Sequence, residues 1–301
     1  MTQKKLLMAS LYERLSDLGF SRPFIRHQAL PEWWDEEVEA TPGAEVEAAA
    51  YISRRFNLDV LSLLKPGGAA NFKPSCQAKF KTKQGTTANQ LFVAQCMAAR
   101  IGEMVAYACT QQMKTNPTSA QAVRSEILKT QGFVNLEGLL NWCWSYGLPV
   151  VHFHSFPKAN GIHKFQGMAA YFYNRPVIII SLNNRSLAWL LFVVAHELGH
   201  IIKGHVNEAA LVDEDVVREN LDNEEIEANE FATELLLGKP DMMYYTFQKL
   251  TGEKLASYAQ YISQRDRVDP GVVVLNYAWF QSHFAKQKRE NQLIWATAKR
   301  L

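Results

Sequence analysis

The chain lacks most of the features that would assign a function at sight. Among its 301 residues there are only four cysteines, Cys76, Cys96, Cys109 and Cys143, and no two stand at the short spacing of a cysteine zinc knot. So few cysteines also argue against a disulfide framework; reduced thiols, and with them the cytoplasm, are the expectation. Charge of one sign is lacking as well. The 32 Lys and Arg nearly balance the 30 Asp and Glu, leaving a formal charge of +2, so no global field draws the chain to nucleic acid or membrane. No run approaches eighteen apolar residues without a charged or polar break, and Met1 to Ser10 has lysines but no long apolar core; no membrane span or signal peptide is expected. What is present is 48% hydrophobic residues, enough to bury one main domain and a smaller partner.

The informative stretch is Phe192-Val193-Val194-Ala195-His196-Glu197-Leu198-Gly199-His200. Leu187 to Ala195 is almost wholly apolar, so a helix here is buried, and buried histidines need partners for their ring nitrogens. Residues four apart share a helix face, so His196 and His200 can grip one ion. Glu197 then stands beside that ion without binding it, placed to take a proton from an attacking water. The pattern proposes metal-assisted hydrolysis with Zn2+, of a peptide bond.

The third ligand must lie elsewhere. Gly204 and His205 follow, but a third histidine on the same segment belongs six residues after the second, where Val206 stands. The segment Asn223 to Ala232 offers Glu224, Glu225 and Glu227. Ala228, Phe231, Ala232, Leu235 and Leu236 define a buried helix face that extends back to Glu224 and Glu225 but not to Glu227. Glu225 is preferred because Asn229, four residues on, shares its face and can hydrogen-bond a ligand histidine.

Around these motifs the chain reads as helices with a small sheet. Residues 1–64 form an N-terminal helical module, in which Ser21 caps a segment carrying Arg22 and Arg26; this suits the second helix of a helix-turn-helix, with the two arginines as candidate DNA contacts. Residues 65–88, punctuated by Pro66, Gly67, Gly68, Pro74 and Gly85, read as a linker. Residues 89–240 read as the metal domain: helices, then strands over Val150–Phe156, Gly161–Tyr173 and Pro176–Leu182, then the histidine and glutamate helices. Residues 241–301 read as a C-terminal helical subdomain packed on it, beginning with a helix near Met242–Thr251. The fold class is α+β and mostly helical.

With His196-Glu197-Leu198-Gly199-His200 and Glu225-Ile226-Glu227-Ala228-Asn229-Glu230-Phe231-Ala232 both in view, roughly residues 118–285 resemble the ImmA/IrrE family of metallo-endopeptidases. The resemblance implies a minimal zincin-like domain, one zinc held by His196, His200 and Glu225, and Glu197 as general base. It also implies an intracellular protein substrate, typically a helix-turn-helix repressor whose cleavage derepresses stress, prophage or mobile-element genes. Tyr171 or Tyr173 is a candidate oxyanion donor. The competing expectation is a transcription regulator that binds DNA through residues 1–64 and uses the zincin domain only as a sensor or interaction module.

Overall fold

The computed structural model describes residues 3–73, 88–114, 119–157, 165–182, 186–206, 211–213 and 223–284. At its centre is a four-stranded sheet of β1 (Val150–His152), β2 (Gly167–Phe172), β3 (Arg175–Ile180) and β4 (Leu211–Asp213), in the order β1-β3-β2-β4. β1 runs parallel to β3, while β2 is antiparallel to both β3 and β4. The β2–β3 hairpin turns through Tyr173 and Asn174, both at positive φ, as a two-residue turn between twisted strands demands. β1 is shorter than the strand expected over Val150–Phe156. After His152 the chain has no further ladder to follow, and Phe153 N–H makes one last bond to Ile180.

Period-two alternation gives the sheet two apolar faces, each of which builds a core. Ala169, Ile178 and Ile180 face a layer of six helices: α7 (Ala120–Gln131), α8 (Leu136–Ser145), α9 (Leu187–Lys203), α10 (Asn223–Leu237), α11 (Gly252–Asp266) and α12 (Pro270–Phe284). Met168, Ala170, Phe172, Val177 and Ile179 face the other way, against α1 (Gln3–Asp17), α2 (Arg22–Gln28), α3 (Glu36–Glu39), α4 (Ala44–Phe56), α5 (Val60–Leu64) and α6 (Ala88–Ala108). The N-terminal helices and α6 therefore share one core with the back of the sheet. Within α6, Leu91–Ala108 is long and apolar enough to cross a membrane, yet Val93, Ala94, Cys96, Met97, Ala98 and Ala99 are buried in this core, and Gly102 lies against the Phe172 ring. That is the environment of a core helix.

Two expectations are corrected here. Cys96 is disulfide-bonded, while Cys109 and Cys143 are free, so the thiols are not all reduced. Spacing along the chain reports only local cysteine pairs; a pairing made by tertiary structure leaves no mark in it. Residues 242–251 form no helix. Side chains of α12 take over their backbone groups: Tyr244 N–H donates to Asn276 Oδ1, Asn276 Nδ2 donates to Met242 O, and Leu250 N–H donates to the Tyr277 hydroxyl. Once these groups are satisfied from outside, the segment gains nothing by coiling.

The helix layer is fastened at the far end of α10. Arg124, buried on α7, donates to the carbonyls of Leu235 and Leu236 at 3.0 and 2.6 Å and to that of Asp266 at 2.6 Å. A guanidinium suits the negative end of a helix, and this one joins α7, α10 and the end of α11.

Candidate metal centre

Helix α9 begins at Ser186, whose hydroxyl accepts from Trp189 N–H, and stops at Gly204, which takes the left-handed conformation at φ 77°. Between these caps the helix is apolar on nearly every side, so His196, Glu197 and His200 are carried into the interior and are fully buried. Helix α10 packs across it. Gly199 makes that approach close: a side chain there would stand 3.1–3.2 Å from Ala228 O, Ala228 Cα and Phe231 Cβ. The glycine between the two histidines thus lets the first turn of α10 reach them.

That turn brings Glu225 to both rings. His196 Nε2 lies 3.0 Å from His200 Nε2, while the Glu225 oxygens lie 3.4 Å from the first and 3.6 Å from the second. Metal–nitrogen bonds of 2.0–2.1 Å in a tetrahedron put neighbouring ligand atoms about 3.3 Å apart. The three donors already stand at that spacing, and they form the one cluster among the described residues able to hold a metal ion.

Hydrogen bonds on the far sides of the rings point the same way. His196 Nδ1 is 3.0 Å from Asn229 Oδ1, an acceptor, so its proton sits on Nδ1 and its lone pair on Nε2. His200 Nδ1 is 3.0 Å from His205 Nδ1, and His205 Nε2 is 3.2 Å from Glu227 Oε2. With neutral rings, two lone pairs and a carboxylate converge on one small volume, an arrangement that repels itself unless a cation stands between them. The residues fit a divalent ion, and imidazole with carboxylate is a donor set that zinc accepts.

Glu197, one residue from His196, packs onto the first residue of β2. A Cβ added to Gly167 would fall on Glu197 Oε1 and stand 2.7 and 2.8 Å from its Cδ and Cγ. Gly167 is also where β4 joins the sheet, paired with Asp213. Beside His196, Trp189, Phe192, Asn229, Leu236, Trp279 and Phe280 help to line an apolar cavity of about 180 Å³. Trp279 and Phe280 of α12 thus border open space, while Tyr277 of the same helix is fully buried.

The structure does not bring the other candidates to the cluster. Tyr171 lies four residues along β2 from Gly167, about 13 Å at strand rise, and Tyr173 is exposed at the hairpin tip beyond it. Burial pushes the Tyr171 hydroxyl above its usual pKa, which keeps it a donor but at the wrong end of the strand. Arg22 donates to Glu39 at 2.8 Å and lies over the Tyr12 ring, with Glu36 at 3.9 Å; Arg26 donates to Trp34 O at 2.8 Å. Both arginines brace the N-terminal helices, and the acids beside Arg22 would repel a phosphate backbone.

His205 and Glu227 were missed as partners of His200. The signal was the Gly204-His205 pair: a left-handed glycine after a helix returns the next residue to the last turn, and His205 N–H accordingly donates to His200 O at 3.0 Å. β4 was missed too, since Leu211–Asp213 is too short to show a period.

Comparison with known proteins adds one finding. Residues 149–274 match the Peptidase_M78 family model, described as the IrrE N-terminal-like domain. The matched stretch runs from the start of β1 into α12 and holds every residue of the cluster. No curated protein and no solved structure matches the chain.

Proposed function

We propose, from the premise that residues 149–274 belong to the IrrE N-terminal-like peptidase family, that the protein is a zinc-dependent endopeptidase whose substrate is a helix-turn-helix repressor. The observation that carries the proposal is the convergence of His196 Nε2, His200 Nε2 and a Glu225 oxygen at tetrahedral spacing, with Glu197 one residue from the first ligand. These three residues would hold the ion, which when bound supplies a Lewis acid for the substrate carbonyl and lowers the pKa of water to about 7.

The chain's own groups do the rest. Glu197 takes the proton of the attacking water and returns it to the departing amide nitrogen, a role for which burial and close packing against Gly167 hold its carboxylate in place. Asn229 and His205 hold the two imidazoles with their lone pairs inward. The cavity beside His196 has room for one apolar side chain of the bound peptide. A repressor substrate would place the reaction in the cytoplasm and would link cleavage to derepression of stress, prophage or mobile-element genes.

The test is to incubate the zinc-supplied protein with the helix-turn-helix repressor encoded nearest its gene and follow the repressor by mass spectrometry. The expected result is cleavage at one or a few bonds that stops on chelation and returns with zinc. Cleavage indifferent to a chelator would remove the metal from the reaction.

A further inference from the structure

The two histidines are supported unequally. His196 Nδ1 meets the neutral amide of Asn229, whereas His200 Nδ1 meets a second imidazole backed by a carboxylate. A carboxylate only accepts, so His205 Nε2 carries the proton in that bond. Neutral His205 then presents a lone pair at Nδ1, which accepts from His200 Nδ1–H. His200 is left with its lone pair on Nε2, the atom that faces His196 and Glu225. With both rings neutral, the polarity of this chain of contacts runs from the cluster outward to an anion.

The backbone builds this arrangement on purpose-shaped elements. Gly204 folds the chain so that the His205 ring packs on the His200 ring at 5.2 Å between centroids, and the His205 side chain is only 9% exposed. Helix α10 contributes three alternate residues to the two histidines: Glu225 to both, Glu227 through His205 to His200, and Asn229 to His196. A surface ion pair would need none of this order, and an isolated one contributes little.

We infer that His205 and Glu227 are positioning residues of the metal centre, fixing the tautomer of His200 and strengthening it as a donor through a carboxylate-terminated imidazole pair. The inference rests on the metallopeptidase reading. It also makes the two histidine ligands inequivalent: His200 is the stronger donor and retains the ion, while His196 is the weaker. Partners of ligand histidines of this kind typically contribute 10- to 100-fold in metal affinity.

The experiment measures zinc affinity by chelator competition, and the visible spectrum of the cobalt-substituted protein, in the full chain and in His205→Phe, Glu227→Ala, Glu227→Gln and Glu230→Gln. His205→Phe is expected to weaken zinc binding by about 10- to 100-fold and to shift the cobalt bands. Glu227→Ala should weaken binding by a smaller factor. Glu227→Gln, which keeps an acceptor without the charge, should fall between Glu227→Ala and the unaltered protein. The exposed Glu230→Gln should change nothing. If His205→Phe lowers the unfolding midpoint of the metal-free protein, the half-exposed Glu227 variants carry the test, because neither supports the core. Affinities and spectra of both Glu227 variants identical to those of the unaltered protein would overturn the inference while leaving the metallopeptidase reading standing. Failure of the unaltered protein to bind zinc would remove that reading itself.

Discussion

Glu197→Gln is expected to lower the rate of peptide-bond cleavage by about 10²- to 10⁴-fold, the usual contribution of a positioned general base, while the protein keeps its metal. The amide is nearly isosteric with the carboxylate, so packing against Gly167 survives, but it cannot accept the proton of the attacking water. His196, His200 and Glu225 are untouched, so metal content should equal that of the unaltered protein. Single-turnover cleavage and metal analysis on one preparation check both halves. Unchanged cleavage would remove Glu197 from the chemistry, and lost metal would show that its role is to hold the site together.

Gly167→Ala should be nearly as damaging without replacing any polar group. The added methyl collides with the Glu197 side chain from Cγ to the carboxylate and must displace it. The same displacement is severe for catalysis, because shifting a catalytic group by about 1 Å commonly slows a reaction about 10²-fold. The expected phenotype is a folded, metal-loaded protein whose cleavage per folded molecule is reduced about 100-fold. A large drop in midpoint with activity per folded molecule intact would mean that Gly167 serves the sheet and leaves the base alone.

Both predictions concern residues whose roles were unequally visible beforehand. Periodicity alone placed His196, Glu197 and His200 on one buried helix, and the apolar face of the next helix narrowed the acids to Glu224 and Glu225. Those inferences need only helix geometry, which is local. Gly167 was invisible because its importance depends on a strand lying against a helix thirty residues later. Glu227 was set aside because it does not continue the apolar face of α10, yet it reaches His200 through His205, whose position follows from the turn at Gly204.

The same contrast holds in the fold. The helices from Ala44 to Leu64 and from Ala120 to Ser145 rest on local signals, among them side-chain caps at Asp59, Ser119 and Asn135. The segment after Pro240 was misread because its composition suits a helix while its backbone is served by Asn276 and Tyr277, more than twenty-five residues away. Glu39 and the Trp34 carbonyl engage Arg22 and Arg26, contacts that the sequence does not reveal.

X-ray absorption at the zinc edge of the full-length protein, purified with zinc supplied, tests the central claim most directly. The expected result is one zinc per chain with two imidazole nitrogens and a carboxylate oxygen at about 2.0–2.2 Å, the shell provided by His196, His200 and Glu225. Absence of stoichiometric zinc, or a shell containing sulfur or fewer than two imidazoles, would contradict it.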